Sequence, residues 1–162
     1  MKLFTTMIAA TALITAFQIP ACAQSIALTE RKCSIENSVY QAIGNPDFEL
    51  IFSPRLPNKG MDAVVTLKHT KRGRIQTFHM VTSNGYGSSS LIDPQREGTR
   101  LNIVVFDRNL KRDSIFRNKV APEYAFVSGL GSHDYYLNNA RSLELLLGEQ
   151  MWKFDRCNLS SK

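Results

Sequence analysis

Apolar and polar residues alternate along much of the middle of the chain. "DAVVTLKH" (62–69) and "RIQTFHMVTS" (74–83) are rich in β-branched and aromatic residues. Such runs favour strands, whose alternate side chains share one face. The polar "TKRG" between them ends in Gly73, so the two runs predict a hairpin. "LNIVVFD" (101–107) is apolar on both alternating faces and predicts an interior strand. "EYAFVSG" (123–129) and "MWKFDRC" (151–157) add two more; in the second, Trp152 and Phe154 share a face opposite Lys153 and Asp155. "NSVYQAI" (37–43) and "DFELIF" (47–52) supply two early strands. Pro54, Pro57 and Gly60 separate these from the hairpin, and "DPQREGTR" (93–100) separates the hairpin from the interior strand.

One stretch departs from this period. "NNARSLELLLGEQ" (138–150) offers Asn139 or Ser142 as a cap, leucines at 143, 146 and 147, and Gly148 as a stop. This is the signature of a short helix laid against a sheet. The fold expected is therefore mostly β: a small antiparallel barrel or sandwich of about seven to eight strands, with one short helix near the C-terminus. No linker or low-complexity tract divides the chain, so residues 24–162 are expected to form a single domain.

The first residues have a different logic. Lys2 is followed by an apolar run from Leu3 to Phe17, then Pro20 and the small residues Ala21-Cys22-Ala23. This is the layout of a secretory signal peptide cleaved near Ala23. The run falls short of the roughly 20 apolar residues that span a bilayer. An alternative is a lipoprotein signal with Cys22 acylated, which Pro20 disfavours. The expected location is the periplasm or the cell exterior, with no transmembrane segment in the mature chain. Cleavage would leave two cysteines, Cys33 and Cys157, bound for an oxidising compartment, where they are expected to form a disulfide. If residues 151–157 stay regular, Cys157 shares parity with Lys153 and Asp155, and the bridge lies outside the core.

"VTSNGYGSSSL" (81–91) looks most like machinery. It has neither the lysine of a phosphate loop nor the third glycine of a dinucleotide fingerprint, and no nucleophile elbow is present. "VSGLGSHDYYL" (127–137) echoes its Gly-x-Gly-Ser order. The plain reading is two bends at equivalent corners of a barrel, where glycine supplies unusual backbone angles. The sharper reading is a recognition surface in which both loops meet at one rim. Its candidate residues are Asn84, Tyr86, Ser88, Ser89, Ser132 and His133. A hydrolase using His133 with Asp134, or with a serine of 88–90, is the alternative; no catalytic residue is assigned. His79, grouped with Ile75 and Val81, reads as a partly buried core histidine. His69, at the hairpin tip, reads as solvated. The spacing of histidines and cysteines suggests no metal site, and no cofactor is implied.

Twenty Lys and Arg against 14 Asp and Glu give a net charge of +6. The cations are clustered. Lys68, Lys71, Arg72 and Arg74 crowd the hairpin tip, and Arg108, Lys111, Arg112, Arg117 and Lys119 follow the interior strand. Charged turns protect strand edges, but clustered cations also attract anionic partners. Nucleic acid is disfavoured, because no stacking platform accompanies the basic run. The function expected is a non-enzymatic binding domain for an anionic surface, polymer or protein, with Lys71, Arg72 and Arg74 as its charged contacts.

Overall fold

The alternating runs become an antiparallel barrel in a computed structural model that describes residues 33–55, 57, 60–73, 75–83, 87–115, 120–138 and 146–158. Residues 1–32, where a signal peptide is expected, lie outside the described residues, as do Arg74, Asn84, Tyr86, Arg117 and Lys119. A 3-10 turn, Ile35–Asn37, leads into β1 (Ser38–Ala42), β2 (Phe48–Pro54), β3 (Ala63–His69) and β4 (Ile75–Thr82). Then come β5 (Ser89–Ile92), β6 (Arg100–Phe106), β7 (Tyr124–Val127), a helix α1 (Leu130–Asn138) and β8 (Met151–Cys157). Each strand pairs with its chain neighbour, and β1 closes on β8 to complete the barrel. Among the described residues no helix is long and apolar enough to cross a membrane.

Buried and less buried positions alternate most cleanly in β3 and β6. In β3, Ala63, Val65, Leu67 and His69 are buried while Val64, Thr66 and Lys68 are not. Tyr40, Phe48, Phe52, Phe78 and Trp152 fill the interior. An eight-stranded barrel has just enough room for its own side chains or for one small ligand, and here the side chains take it.

The sequence reading is corrected at four points. β5 lies inside the serine run that was read as a loop. Ser89 and Ser90 are tolerated in a strand because Thr82 Oγ1 bonds Ser89 Oγ at 2.9 Å and Ser90 donates to Asn102. The observed helix precedes the stretch expected to be helical: residues 139–145 lie outside the described residues, and 146–150 are not helical. α1 instead begins within the second Gly-x-Gly-Ser segment. His69 is buried, at 3% exposure, because β3 runs on to it and its ring packs edge-on against Phe48 at 4.6 Å. His79 lies on the outer face of β4, whose inner face carries Phe78 and Met80.

β8 is regular only to Phe154. Tyr40 pairs with Phe154 but Val39 pairs with Arg156, which leaves Asp155 as the extra residue of a β-bulge. Without it, Arg156 would continue the inward row of Trp152 and Phe154. The bulge turns Arg156 outward, where it bonds Glu49 of β2 at 2.9 Å and also Asp155. Burial alone would lower the Arg156 guanidinium, but its hydrogen bonds and charge interactions with Glu49 and Asp155 outweigh that and hold it above its ordinary value. The same shift sets Cys157 opposite the fully buried Ser38. The Cys33–Cys157 disulfide therefore sits at the mouth of the barrel on its inward side, and not outside the core.

That disulfide spans a sequence separation of 124. In the chain-entropy account a loop of about 100 residues contributes on the order of 4–5 kcal/mol. A Cys33→Ser/Cys157→Ser variant is expected to lose that much stability in urea unfolding. The intact mass of the wild-type protein should rise by the two hydrogens of reduction.

Candidate functional site

Strand direction decides which loops meet. The turn after β1 (43–47), the basic turn after β3 (70–74), the loop after β5 (93–99) and the connection carrying α1 all lie at one end of the barrel. The 3-10 turn, the connections after β2, β4 and β6, and the disulfide lie at the other. The two Gly-x-Gly-Ser segments are therefore at opposite ends and do not form one rim. Gln76, which contacts His133, and Thr82, which contacts Ser89, are six residue steps apart along β4. At about 3.3 Å per residue, that is about 20 Å.

At the helix end, α1 lies across the barrel. Leu130 and Asp134 are fully buried, while Ser132, Tyr135 and Tyr136 face outward. Gly129 turns the chain into the helix at φ +79°, and Gly131 follows because nothing larger fits. An added Cβ there would lie 2.2 Å from the Gly148 carbonyl group. Glu149, just beyond this contact, accepts from the backbone N–H of Gly129 at 3.2 Å and of Ser132 at 3.4 Å. A carboxylate is favoured there by the unsatisfied N–H groups and dipole of the helix start. Glycine inside a helix is usually a cost. Here the crossing of two backbones requires it.

His133 clamps this helix to the barrel. Its side chain is 9% exposed, Asp93 beneath it 4%, and Nε2 lies 3.2 Å from Asp93 Oδ2. The Gln76 carboxamide reaches the same Nε2 at 2.7 Å, and the ring leans on Phe78. One nitrogen cannot donate to Asp93 and accept from Gln76 at once. An Nε2–H that donates to Asp93 is shared with Gln76 only if the carboxamide presents its oxygen there, which turns the amide nitrogen to the buried position without a hydrogen-bond partner. Asp93 accepts a second bond from the Gln95 N–H at 2.8 Å.

This arrangement holds elements together and does not assemble a catalytic triad among the described residues. Asp134 follows His133 on the helix, about 100° around its axis, and the imidazole turns to Asp93 instead. Ser88 bonds Ser83 at the far end, Ser89 is committed to Thr82, and Ser132 Oγ turns to Glu149. Among the described residues no cluster of His, Cys, Asp and Glu is fit to hold a metal. An open cleft of about 490 Å³ runs beside the β1–β8 seam, with Gln41, Ile43, Pro46, Lys153 and Asp155 in its lining. It lies apart from the His133 cluster.

Of the residues expected to bind, Lys71 and Arg72 are exposed at the helix end. Lys71 meets Asp47 at 2.9 Å with its side chain 72% exposed. Tyr135 and Tyr136, 48% and 73% exposed with rings 5.4 Å apart, share this end and were missed by the sequence reading. So were Gln76, Asp93 and Glu149. No local pattern marks them, because each is defined by a partner distant in sequence.

His133→Ala would remove a buried hydrogen-bond partner of the Asp93 carboxylate. Leaving a buried acceptor short of a donor costs about 1–3 kcal/mol, measurable by urea unfolding, whereas a solvent-facing catalytic histidine would leave stability unchanged. Gly131→Ala is expected to cost about 1–3 kcal/mol through overpacking against Gly148, read as a lowered Tm. Comparisons with protein-family models, characterised proteins and solved structures return no match for the chain.

Proposed function

We propose that this protein is a non-enzymatic binding domain of the periplasm or cell exterior, which recognises an anionic surface, polymer or protein through the helix end of its barrel. The observation that carries the reading is the filled interior. Trp152, Tyr40, Phe48, Phe52 and Phe78 are all fully buried, so a ligand must be met on the outside. The exterior carries the positive charge. Lys71, Arg72, Arg96 and Arg100 are exposed at or beside the helix end. Two of the acids there are already engaged, Asp47 with Lys71 and Glu149 with the start of α1. The exposed tyrosines add amphipathic contact area, and such rings are enriched where proteins meet partners. The disulfide is compatible with an oxidising compartment. A hydrolase using His133 with a serine of 88–90 is disfavoured by the length of the barrel between them.

The interaction should be mainly Coulombic and screened over about 8 Å at physiological ionic strength. Lys71→Gln/Arg72→Gln is expected to elute from dextran sulfate at clearly lower salt than the wild type. The exposed Lys71–Asp47 pair contributes at most about 1 kcal/mol, so thermal stability should hardly move. Equal elution of the two proteins would leave the turn as an edge-protecting device only.

A further inference from the structure

The opposite end of the barrel carries a feature that the helix-end reading does not use. After β6 the chain makes a tight turn, "DRNLKRD" (107–113), with Leu110 at its tip. Leu110 is 61% exposed and has φ +59°, the one positive φ among the described non-glycine residues. Leucine adopts this left-handed region rarely, so an exposed leucine held there is an outlier in both conformation and solvation.

The turn is held firmly. Asp107 Oδ1 accepts from the N–H groups of Asn109 and Lys111, at 2.8 and 2.9 Å. The Asp107 carbonyl accepts from Leu110 N–H, and Asp107 N–H donates to the Lys111 carbonyl at 2.9 Å. Phe106 bridges Arg112, and the Asp113 N–H donates to the Val105 carbonyl. Leu110 is therefore displayed by a closed loop. Around it Arg108, Lys111 and Arg112 are exposed. The two neighbouring acids, both half-buried, are turned to the backbone, Asp107 within the turn and Asp113 onto Ser114 N–H. Val120, 45% exposed, and Arg55 lie at the same end.

We propose that this turn docks the protein on an anionic lipid surface, with Leu110 entering the boundary between head groups and acyl chains and Arg108, Lys111 and Arg112 resting on the lipid phosphates. Peripheral attachment combines buried apolar area with attraction to anionic head groups. Charge complementarity alone would fit a sulfated or carboxylated polymer equally. The apolar tip selects lipid, because a hydrated polyanion offers leucine nothing to enter. This inference is independent of the helix-end reading: it uses other residues at the other end of the barrel, and either can fail alone.

The test is co-sedimentation of the purified protein with vesicles of phosphatidylcholine, with and without phosphatidylglycerol. The wild type is expected to bind only the anionic vesicles. Leu110→Asn removes the apolar tip and places there a residue that tolerates the left-handed region, so the fold is kept. It should weaken vesicle binding about tenfold while leaving elution from dextran sulfate unchanged. Neutralising Arg108, Lys111 and Arg112 to glutamine should weaken vesicle binding on the order of a hundredfold. Leu110→Trp should show a blue-shifted emission component on adding anionic vesicles. Vesicle binding by Leu110→Asn equal to the wild type would overturn the proposal. So would loss of vesicle binding in Lys71→Gln/Arg72→Gln with Leu110→Asn unaffected, which would move the contact to the helix end.

Discussion

Closure of β1 onto β8 is the contact on which the rest of this structure depends. Open, the sheet would present two edges of unpaired backbone groups and an uncovered apolar face. Closed, it encloses Trp152, Tyr40, Phe48 and their neighbours. Three devices act at this seam. Backbone pairing runs from Ser38 to Ala42, Arg156 reaches across β1 to Glu49, and the disulfide ties Cys157 to the segment that precedes β1. The bulge at Asp155 coordinates the last two. One extra residue keeps a guanidinium out of the apolar interior and brings a sulfur to the inward side. The same tethered segment supports the far connection, since the Cys33 carbonyl accepts from Ala121 N–H.

The two ends of the barrel differ. One is covered by α1, fixed by the Gly131–Gly148 crossing, the Glu149 carboxylate and the buried His133–Asp93 pair. Its polar groups are mostly spent on holding the helix, which leaves the tyrosines and the basic turn as what a partner would meet. The other end is secured by the disulfide and carries a rigid turn with one exposed leucine among cations.

The pattern of the chain was sufficient for most of the barrel. Seven of the strands were legible because each buries one face, and burial of one face writes a period of two into the residues. Both cysteines were legible as a pair because the expected leader takes in Cys22 and leaves these two. The basic turn was legible because charge needs no partner to be seen. β5 was not, because its serines are satisfied by Thr82 and Asn102 on flanking strands. α1 was not read, because its glycines speak against helix locally, and only the approach of Gly148 explains them.

Sequence by itself thus determined the fold class, the positions of seven strands and the cysteine partners, all of which follow from local period or composition. Tertiary structure alone decided that the sheet closes as a barrel, that the two glycine-serine segments lie at opposite ends, and that His69 is buried while His79 faces outward. It also decided that His133 serves Asp93 and Gln76 and not a serine. These facts depend on the direction in which each strand runs and on contacts between residues far apart in the chain. The parity of a single strand does not carry that information, and one inserted residue at Asp155 is enough to reverse it.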